Sequence, residues 1–177
     1  DGSRNLILQA NRNGVFYLLD RTSGEIVLKR PFIKRLSWDS KNPCPSVRGA
    51  TNWMSPSYSP STRLFYVMTL EGCVNEPTYF YLKALDPFSG DIRWSYLSRG
   101  STMAAPGVLS TGGNVVFTSE GSGHFVSINA TSGERLWDFN TGQAIFASPV
   151  TFIVNNRQYI GLVAGSTVFT FGLPTAF

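Results

Sequence analysis

A turn that reads Asn129-Ala-Thr-Ser-Gly133-Glu-Arg-Leu-Trp137 recurs along this chain. The two earlier copies read Asp20-Arg-Thr-Ser-Gly24-Glu-Ile and Asp86-Pro-Phe-Ser-Gly90-Asp-Ile-Arg-Trp94. In each copy an Asp or Asn side chain can hydrogen-bond its own turn, and the glycine can adopt a positive φ. This chemistry is typical of a β-hairpin turn, so the sequence predicts the same hairpin three times.

The spacing of the three turns predicts a β-propeller. Their glycines lie 66 and then 43 residues apart. A unit of about 43 residues with four short strands has the size of one propeller blade. The longer interval fits one blade plus an inserted loop, and residues 31–48, which are rich in Pro, Ser, Asn and Lys, are the candidate for that loop.

Strand signals recur from end to end, whereas helix signals are nearly absent. Short runs rich in Val, Ile, Phe and Tyr are bounded by Gly, Pro, Asn and Ser, and no apolar stripe with a helical period is sustained. The predicted strands are residues 6–9, 15–19, 25–29, 64–69, 80–85, 92–96, 114–119, 124–128, 135–139, 149–154, 158–163 and 167–171. We therefore expect an all-β fold.

These strands group into about three and a half four-stranded blades. The first blade lacks its early strands, residues 52–97 and 105–139 form two complete blades, and residues 148–173 hold only three strands. The deficits at the two ends are complementary, and a propeller ring closes by pairing strands from its two termini. We therefore expect one partial β-propeller domain over residues 1–177, a fragment of a larger ring.

Composition excludes several other classes of protein. With 42% hydrophobic and 15% charged residues, the chain can bury a core, which argues against intrinsic disorder. No apolar run approaches the roughly 18 residues of a membrane helix. The start, Asp1-Gly2-Ser3-Arg4, has neither an initiator Met nor a signal-peptide pattern, so we expect a soluble chain that is processed or cut from a longer one.

The net charge of +4 does not point to nucleic acid, because the basic residues are scattered and no nucleic-acid module is recognised. One cluster stands apart: Lys29, Arg30, Lys34 and Arg35. Two interpretations of this cluster stay open, a solvated loop or a docking patch for an acidic protein.

Five segments of the chain together resemble a known enzyme family. They read Ala10-Asn-Arg-Asn-Gly-Val-Phe-Tyr-Leu-Leu-Asp-Arg-Thr-Ser-Gly24, Cys44-Pro-Ser followed by Gly49-Ala-Thr-Asn-Trp53 and Ser57-Tyr-Ser-Pro60, the Asp86 turn with Trp94, Gly112-Gly-Asn-Val-Val-Phe117 with Gly123, and Ser148-Pro-Val-Thr-Phe152 with Arg157-Gln-Tyr159. In order and spacing they are similar to the C-terminal half of the eight-bladed quinoprotein alcohol dehydrogenases. These are periplasmic enzymes that use pyrroloquinoline quinone (PQQ) and a divalent or trivalent metal.

The resemblance implies a cofactor site on the propeller axis, where side chains from several blades hold PQQ. Arg12 matches the family's Arg or Lys that reaches the quinone oxygens, so we expect it to bind the cofactor and to act in catalysis. A fixed cation suits that place because reduction of the quinone puts negative charge on those oxygens. The alternative is an ordinary surface arginine at the end of a hairpin.

Three further positions match cofactor contacts of the family. Asn52 and Trp53 match an Asn-Trp pair whose amide and indole N–H contact the polar edge of PQQ, although Trp53 is also a candidate for a core residue. Ala147 matches a small residue close to the cofactor, or else it only lines a loop. Ala105 stands where many members carry a Trp that contacts PQQ, so we expect that contact to be absent.

Cys44 and Cys73 match a pair that some family members join as a structural disulfide. Such a bridge would pin the inserted loop, would contribute about 3–4 kcal/mol and would indicate an oxidising compartment. The alternative is two free buried thiols. A zinc site is not expected, since two cysteines and one distant histidine cannot complete a zinc shell.

The other notable residues are interpreted as structural. Trp94 and Trp137 recur at one offset from the turn glycine, so we expect them to dock between neighbouring blades. Trp38 lies in the inserted loop and is a candidate for a lid. The single histidine, His124, shows no carboxylate partner in the sequence, and we interpret it as a strand-end residue. No paired spacing distinguishes the remaining carboxylates near the expected funnel, Glu71, Glu76 and Glu120.

The resemblance implies oxidation of a small alcohol to an aldehyde, with electrons passed to a cytochrome c. The family's catalytic Asp and its ligands for Ca2+ or a lanthanide would lie upstream of Asp1. We therefore expect this chain alone to be inactive and to need the missing N-terminal half of the propeller as its partner. The alternatives are a non-catalytic periplasmic scaffold of the outer-membrane assembly type, and a homodimer of half-rings.

Overall fold

The computed structural model describes residues 5–100 and 106–173, and their regular secondary structure consists of fourteen β-strands. The strands are β1 Leu6–Ala10, β2 Val15–Asp20, β3 Ile26–Pro31, β4 Ser57–Ser59, β5 Leu64–Glu71, β6 Tyr79–Leu85, β7 Ile92–Leu97, β8 Leu109–Thr111, β9 Val115–Ser119, β10 His124–Asn129, β11 Arg135–Asn140, β12 Val150–Val154, β13 Arg157–Ala164 and β14 Thr167–Gly172. Within these ranges, no helix is long and apolar enough to cross a membrane.

The strands form four antiparallel sheets, one after another along the chain. Blade 1 is β1-β2-β3, blade 2 is β4-β5-β6-β7, blade 3 is β8-β9-β10-β11 and blade 4 is β12-β13-β14. The three repeated turns join β2 to β3, β6 to β7 and β10 to β11. Among the described residues, blade 1 has no counterpart of the first strand and blade 4 has none of the last, which agrees with the predicted complementary deficits.

Three hydrophobic clusters lie between neighbouring blades. Blades 1 and 2 pack Phe16 against Phe65, whose ring centroids are 5.5 Å apart. Blades 2 and 3 share a larger cluster that contains Tyr66 and Val126, and blades 3 and 4 bring Phe125 to Phe171 at 5.2 Å. Because every cluster takes residues from two facing sheets, the sheets stack as the blades of a propeller, and the predicted fold class is confirmed.

The repeated turns have one geometry. Asp20 Oδ1 accepts hydrogen bonds from the backbone N–H groups two and three residues further along the chain, at 2.8 and 3.0 Å. Asn129 Oδ1 accepts the equivalent pair of hydrogen bonds at 2.9 and 3.0 Å. The three turn glycines all have φ of +76°, a conformation that a side chain disfavours. The local chemistry inferred from the sequence is therefore the chemistry that closes each hairpin.

Trp94 docks on the next blade as predicted. Its ring lies against Gly133, where an added Cβ would come within 2.7 Å of the indole, and its N–H donates to the carbonyl of Ala130 at 3.0 Å. Trp137 likewise reaches the next blade, with its ring centroid 5.5 Å from that of Phe171, but 42% of its surface remains exposed.

In the middle turn Arg93 Nη2 donates to Asp86 Oδ2 at 2.6 Å and forms a salt bridge. This bond, followed by the backbone N–H groups of the turn, lowers the pKa of Asp86 from its ordinary value of 3.8. The charged carboxylate therefore stabilises the fold above about pH 4, and this contribution is lost as the pH falls below that value.

We predict that Asp86→Asn keeps the turn, because Asn129 closes the equivalent turn with its amide, but removes the pH-dependent contribution. Urea unfolding at several pH values checks this. The variant should be less stable than the wild type at pH 7, and this difference should shrink as the pH falls below about 4, whereas Asn129→Ala, the control for loss of the turn bonds, should be destabilised at both pH 7 and low pH. A difference in the free energy of unfolding between wild type and Asp86→Asn that stays the same at every pH would contradict the prediction.

Candidate functional site

One end of the four sheets carries all the predicted site residues. The antiparallel order places the loops 11–14, 72–78, 120–123 and 165–166 at the same end as the segments that precede β4, β8 and β12. We call this end the site end. The repeated turns lie at the opposite end. Topology therefore places Arg12, Asn52, Trp53 and Ala147 at the same end of the sheets.

Arg12 lies in the short loop between β1 and β2, and its side chain is exposed. The loop is closed by a hydrogen bond from Gly14 N to Asn11 O at 3.0 Å. The Arg12 guanidinium donates through Nη2 to the carbonyl of Val47 at 2.5 Å, and the Arg12 carbonyl accepts from Ala50 N at 2.8 Å. Arg12 is therefore held by the connection between blades 1 and 2, which leads directly into Asn52.

Asn52 and Trp53 project from a segment whose neighbouring residues are buried. Thr51 and Met54 are both buried on either side, whereas Asn52 is exposed and 67% of the Trp53 surface is exposed. Among the described residues, the Asn52 amide donates only to the carbonyl of Arg48, at 3.5 Å. The interpretation of Trp53 as a core residue is therefore wrong, and its indole is accessible at the site end.

The segments that precede β4, β8 and β12 contact one another. Val108 N donates to Ser55 O at 2.8 Å, and Gly107 lies so close to Ser148 that a Cβ at residue 107 would overlap its side chain. Ala147, which precedes Ser148, is half-buried. Three blades therefore contribute to one surface next to Asn52 and Trp53. Ala105, the position expected to lack a cofactor contact, lies outside the described residues.

Cys44 and Cys73 form a disulfide, so the alternative of two free thiols is wrong. Both residues are buried. The bridge joins the inserted loop to the loop between β5 and β6, and a hydrogen bond from Ser46 N to Gly72 O at 2.9 Å supports it. The inserted loop is thereby fixed to blade 2.

We predict that the double variant Cys44→Ala/Cys73→Ala has a free energy of unfolding about 3–4 kcal/mol lower than that of the wild type, because the bridge closes a loop with a sequence separation of 29 residues. Urea unfolding without reductant measures the difference. With reductant present, the free energy of unfolding of the wild type should fall towards that of the variant. Equal stability of the two proteins without reductant would contradict the prediction.

Two of the three carboxylates near the site end are paired with cations. Glu71 contacts Lys83, whose side chain is only 1% exposed and whose ammonium also donates to Phe32 O at 2.8 Å. Burial lowers the pKa of Lys83, and the hydrogen bond and charge of Glu71 oppose this effect. Glu76 pairs with Arg35 at 3.0 Å. The Glu71–Lys83 pair lies within blade 2 and holds Phe32, which follows β3, whereas the Arg35–Glu76 pair joins the inserted loop to blade 2, so both pairs have a structural role.

The third carboxylate, Glu120, is fully buried and accepts hydrogen bonds from Tyr96 OH at 2.5 Å and Ser122 Oγ at 3.3 Å. Burial, followed by the contact with Glu120, raises the pKa of the Tyr96 phenol well above its usual value. The phenol therefore stays protonated and can keep donating to the carboxylate across the boundary between blades 2 and 3.

His124 begins β10, as predicted for a strand-end residue, and the structure adds a carboxylate partner that the sequence does not indicate. His124 Nδ1 lies 2.6 Å from Asp138 Oδ2, which also accepts from Arg135 Nη2 at 2.7 Å. The contact with His124, ahead of that with Arg135, lowers the pKa of Asp138. In the described part of the chain, no group of three or more His, Cys, Asp or Glu side chains is arranged to hold a metal ion.

Three of the four residues in the basic cluster contact other side chains or backbone. Arg35 is paired with Glu76, the aliphatic part of Arg30 lies against Gly90, and the Lys34 ammonium lies 5.4 Å from the Tyr81 ring centroid. Trp38, the candidate lid residue, is largely exposed in the inserted loop.

The donor chemistry of the site end fits a flat anion with carboxylate and carbonyl groups. Arg12 supplies a guanidinium, Asn52 an amide and Trp53 an indole N–H, and all three side chains are exposed. A guanidinium and an indole only donate hydrogen bonds, whereas an amide both donates and accepts. PQQ, which carries carboxylates and quinone oxygens, matches this donor set.

Comparison with known proteins identifies relatives of the chain. The PQQ_2 family model, described as outer membrane protein assembly factor BamB, matches residues 76–170. The chain is 30% identical to the quinoprotein alcohol dehydrogenase PedH of Pseudomonas putida over 88% of this chain and 35% of that protein. It is 32% identical to a quinoprotein ethanol dehydrogenase of Pseudomonas putida over 88% of this chain and 33% of that protein.

Solved structures show the same likeness. The quinohemoprotein alcohol dehydrogenase of Comamonas testosteroni matches with a TM-score of 0.82 and 25% sequence identity, over 92% of this chain and 32% of that chain. The chain thus spans about a third of the length of the curated relatives it matches.

Proposed function

Because the chain belongs to the PQQ_2 family and is related to quinoprotein alcohol dehydrogenases over most of its length, we propose that it forms part of a PQQ-dependent alcohol dehydrogenase. The observation that carries this proposal is the exposure of Arg12, Asn52 and Trp53 together at the site end of such a fold. The relatives support the class of enzyme, and the donor chemistry supports the class of cofactor.

Each residue has a distinct role in this proposal. Arg12 binds the quinone oxygens, and its fixed positive charge stabilises the negative charge that develops there. Asn52 and Trp53 orient the molecule by hydrogen bonds to its polar edge. Ala147 leaves room for the ring system because its side chain is small. When bound, PQQ supplies the electron-accepting chemistry that the side chains of this chain lack.

The rest of the active enzyme lies outside this chain in our proposal. Blades that complete an eight-bladed ring would cover the apolar faces of blades 1 and 4, where Ile7, Val27, Val150 and Val168 are exposed. The catalytic Asp and the ligands for Ca2+ or a lanthanide would come from that missing N-terminal half. The substrate would be a small alcohol, the electron acceptor a cytochrome c and the location the periplasm, which suits the disulfide.

The scaffold alternative is less well supported. It would explain the family match, but the curated relatives aligned over 88% of the chain are dehydrogenases. A scaffold also has no need for an exposed guanidinium, amide and indole at the site end. Nothing in the described part of the chain favours the homodimer of half-rings.

Oxidation of primary alcohols by the complete protein, loaded with PQQ and either Ca2+ or a lanthanide and coupled to an artificial dye, tests the proposal. We expect turnover from the complete protein and none from the 177-residue chain alone. A complete protein that binds no PQQ and oxidises no alcohol would contradict the proposal and would favour the scaffold.

A further inference from the structure

We infer that residues 46–50, fixed by the Cys44–Cys73 disulfide, position the Arg12 guanidinium for the cofactor, an inference that rests on the proposed function. We call these residues the positioning segment. Arg12 belongs to blade 1, whereas the disulfide attaches the positioning segment to blade 2. A covalent bond in one blade thereby sets the orientation of a binding side chain in its neighbour.

The positioning segment holds Arg12 at two places. The carbonyl of Val47 accepts a hydrogen bond from Arg12 Nη2 at 2.5 Å, and the N–H of Ala50 donates to the Arg12 carbonyl at 2.8 Å. Both the backbone and the end of the side chain are therefore constrained by one short stretch. A guanidinium has five N–H donors, so the bond to Val47 leaves others for a ligand.

Gly49 allows this close approach. Its φ is +79°, and a Cβ at residue 49 would overlap the Arg12 side chain and would lie 2.9 Å from the Arg12 carbonyl oxygen. A side chain at residue 49 would therefore push the guanidinium away from its present orientation. Sequence patterns alone do not reveal this contact, because residues 12 and 49 are separated by two strands and the inserted loop.

The positioning segment is attached to blade 2 at both ends. Near its start are the disulfide and the bond from Ser46 N to Gly72 O at 2.9 Å. At its end, Leu70 N donates to Ala50 O at 2.7 Å. Loss of the disulfide would release the first attachment and leave Val47 free to move away from Arg12. A preorganised donor loses less conformational freedom on binding, so such a release would weaken the affinity.

Titration of PQQ into the complete protein tests the inference through the dissociation constant. Gly49→Ala should weaken binding by at least about tenfold, and Cys44→Ala/Cys73→Ala should weaken it in the same direction, because misplaced binding groups lose affinity steeply. Gly24→Ala is the matched control, since Gly24 has a similar φ of +76° and no atom within 4 Å of an added Cβ. It should bind PQQ within about twofold of the wild type, because the site is untouched.

The decisive comparison repeats these changes in an Arg12→Ala background. If residues 46–50 act through Arg12, neither Gly49→Ala nor the double cysteine variant should weaken PQQ binding further there. Thermal unfolding without PQQ adds a second measurement, in which Gly49→Ala should lower the Tm less in the Arg12→Ala background than in the wild type. The double cysteine variant should lower the Tm equally in both backgrounds.

The outcomes separate the two proposals. PQQ binding that is weakened by Arg12→Ala but unaffected by Gly49→Ala and by loss of the disulfide would overturn the positioning role alone. Equal further weakening in both backgrounds would also overturn it, because the effect would then bypass Arg12. A wild type that binds no PQQ would overturn the proposed function, and the positioning role would fall with it.

Discussion

Arg12→Ala in the complete protein is expected to weaken PQQ binding and to lower turnover with a small alcohol by about 10²–10³-fold, the usual loss when a preorganised charge-stabilising donor is removed. The physical reason is that Arg12 is the one predicted site residue with a full positive charge, and its hydrogen bonds to Val47 and Ala50 fix its place. Equilibrium titration of PQQ and steady-state kinetics measure the two effects.

Two matched variants make this prediction specific. Arg12→Lys keeps the charge and should retain much of the affinity, although it loses the planar fork of donors. Arg21→Ala removes another exposed arginine, at the opposite end of the sheets, and should leave binding unchanged. If Arg12→Ala and Arg21→Ala bind PQQ as tightly as each other, the assignment of Arg12 is wrong.

Trp94→Ala is expected to lower the free energy of unfolding of the 177-residue chain by about 3 kcal/mol, the lower end of the loss for core Trp→Ala changes, because Trp94 is partly buried. The indole packs on Gly133 of the next blade, and loss of its hydrogen bond to Ala130 O removes a partner from that carbonyl. Urea unfolding followed by circular dichroism measures the change without depending on tryptophan fluorescence.

Trp137→Ala is the natural control, because Trp137 occupies the same place in its repeat but has 42% of its surface exposed. Trp137→Ala should lower the free energy of unfolding by no more than about half as much as Trp94→Ala, because the Trp137 side chain buries less apolar area on folding. Equal destabilisation by the two variants would contradict the docking of Trp94 as a stabilising contact between blades.

The fold could be predicted from the sequence because the turn signals that define it are local and are repeated along the chain. The carboxylate of Asp20 and the amide of Asn129 close their turns with nearby backbone groups, and the turn glycine has the same φ in each copy. The two shortest strands, Ser57–Ser59 and Leu109–Thr111, are absent from the predicted strands because three residues with polar members show no periodic pattern.

The candidate site was predictable only in part. Arg12, Asn52 and Trp53 are predicted site residues because they match a family motif, and the topology of the sheets explains why they share one end. The contacts of Arg12 with Val47 and Gly49 depend on the path of the inserted loop, which no local pattern encodes. Long-range contacts of this kind require the fold to be known first.

The pairing of His124 with Asp138 escaped prediction for a different reason. His124 lies opposite Asn140 and Asp138 lies opposite Val126, so the two side chains meet as diagonal neighbours across β10 and β11. A shift of the register by one residue would move Asp138 to the other face of the sheet. The register of this hairpin also shifts between Ser127 and Ile128, an irregularity that the sequence pattern does not define.

A crystal structure of the complete protein with PQQ bound tests the central claim most directly. We expect the quinone oxygens within hydrogen-bond distance of the Arg12 guanidinium, with the Asn52 amide and the Trp53 indole at the edge of the same molecule. PQQ bound elsewhere, with Arg12 in contact only with Val47, would contradict it.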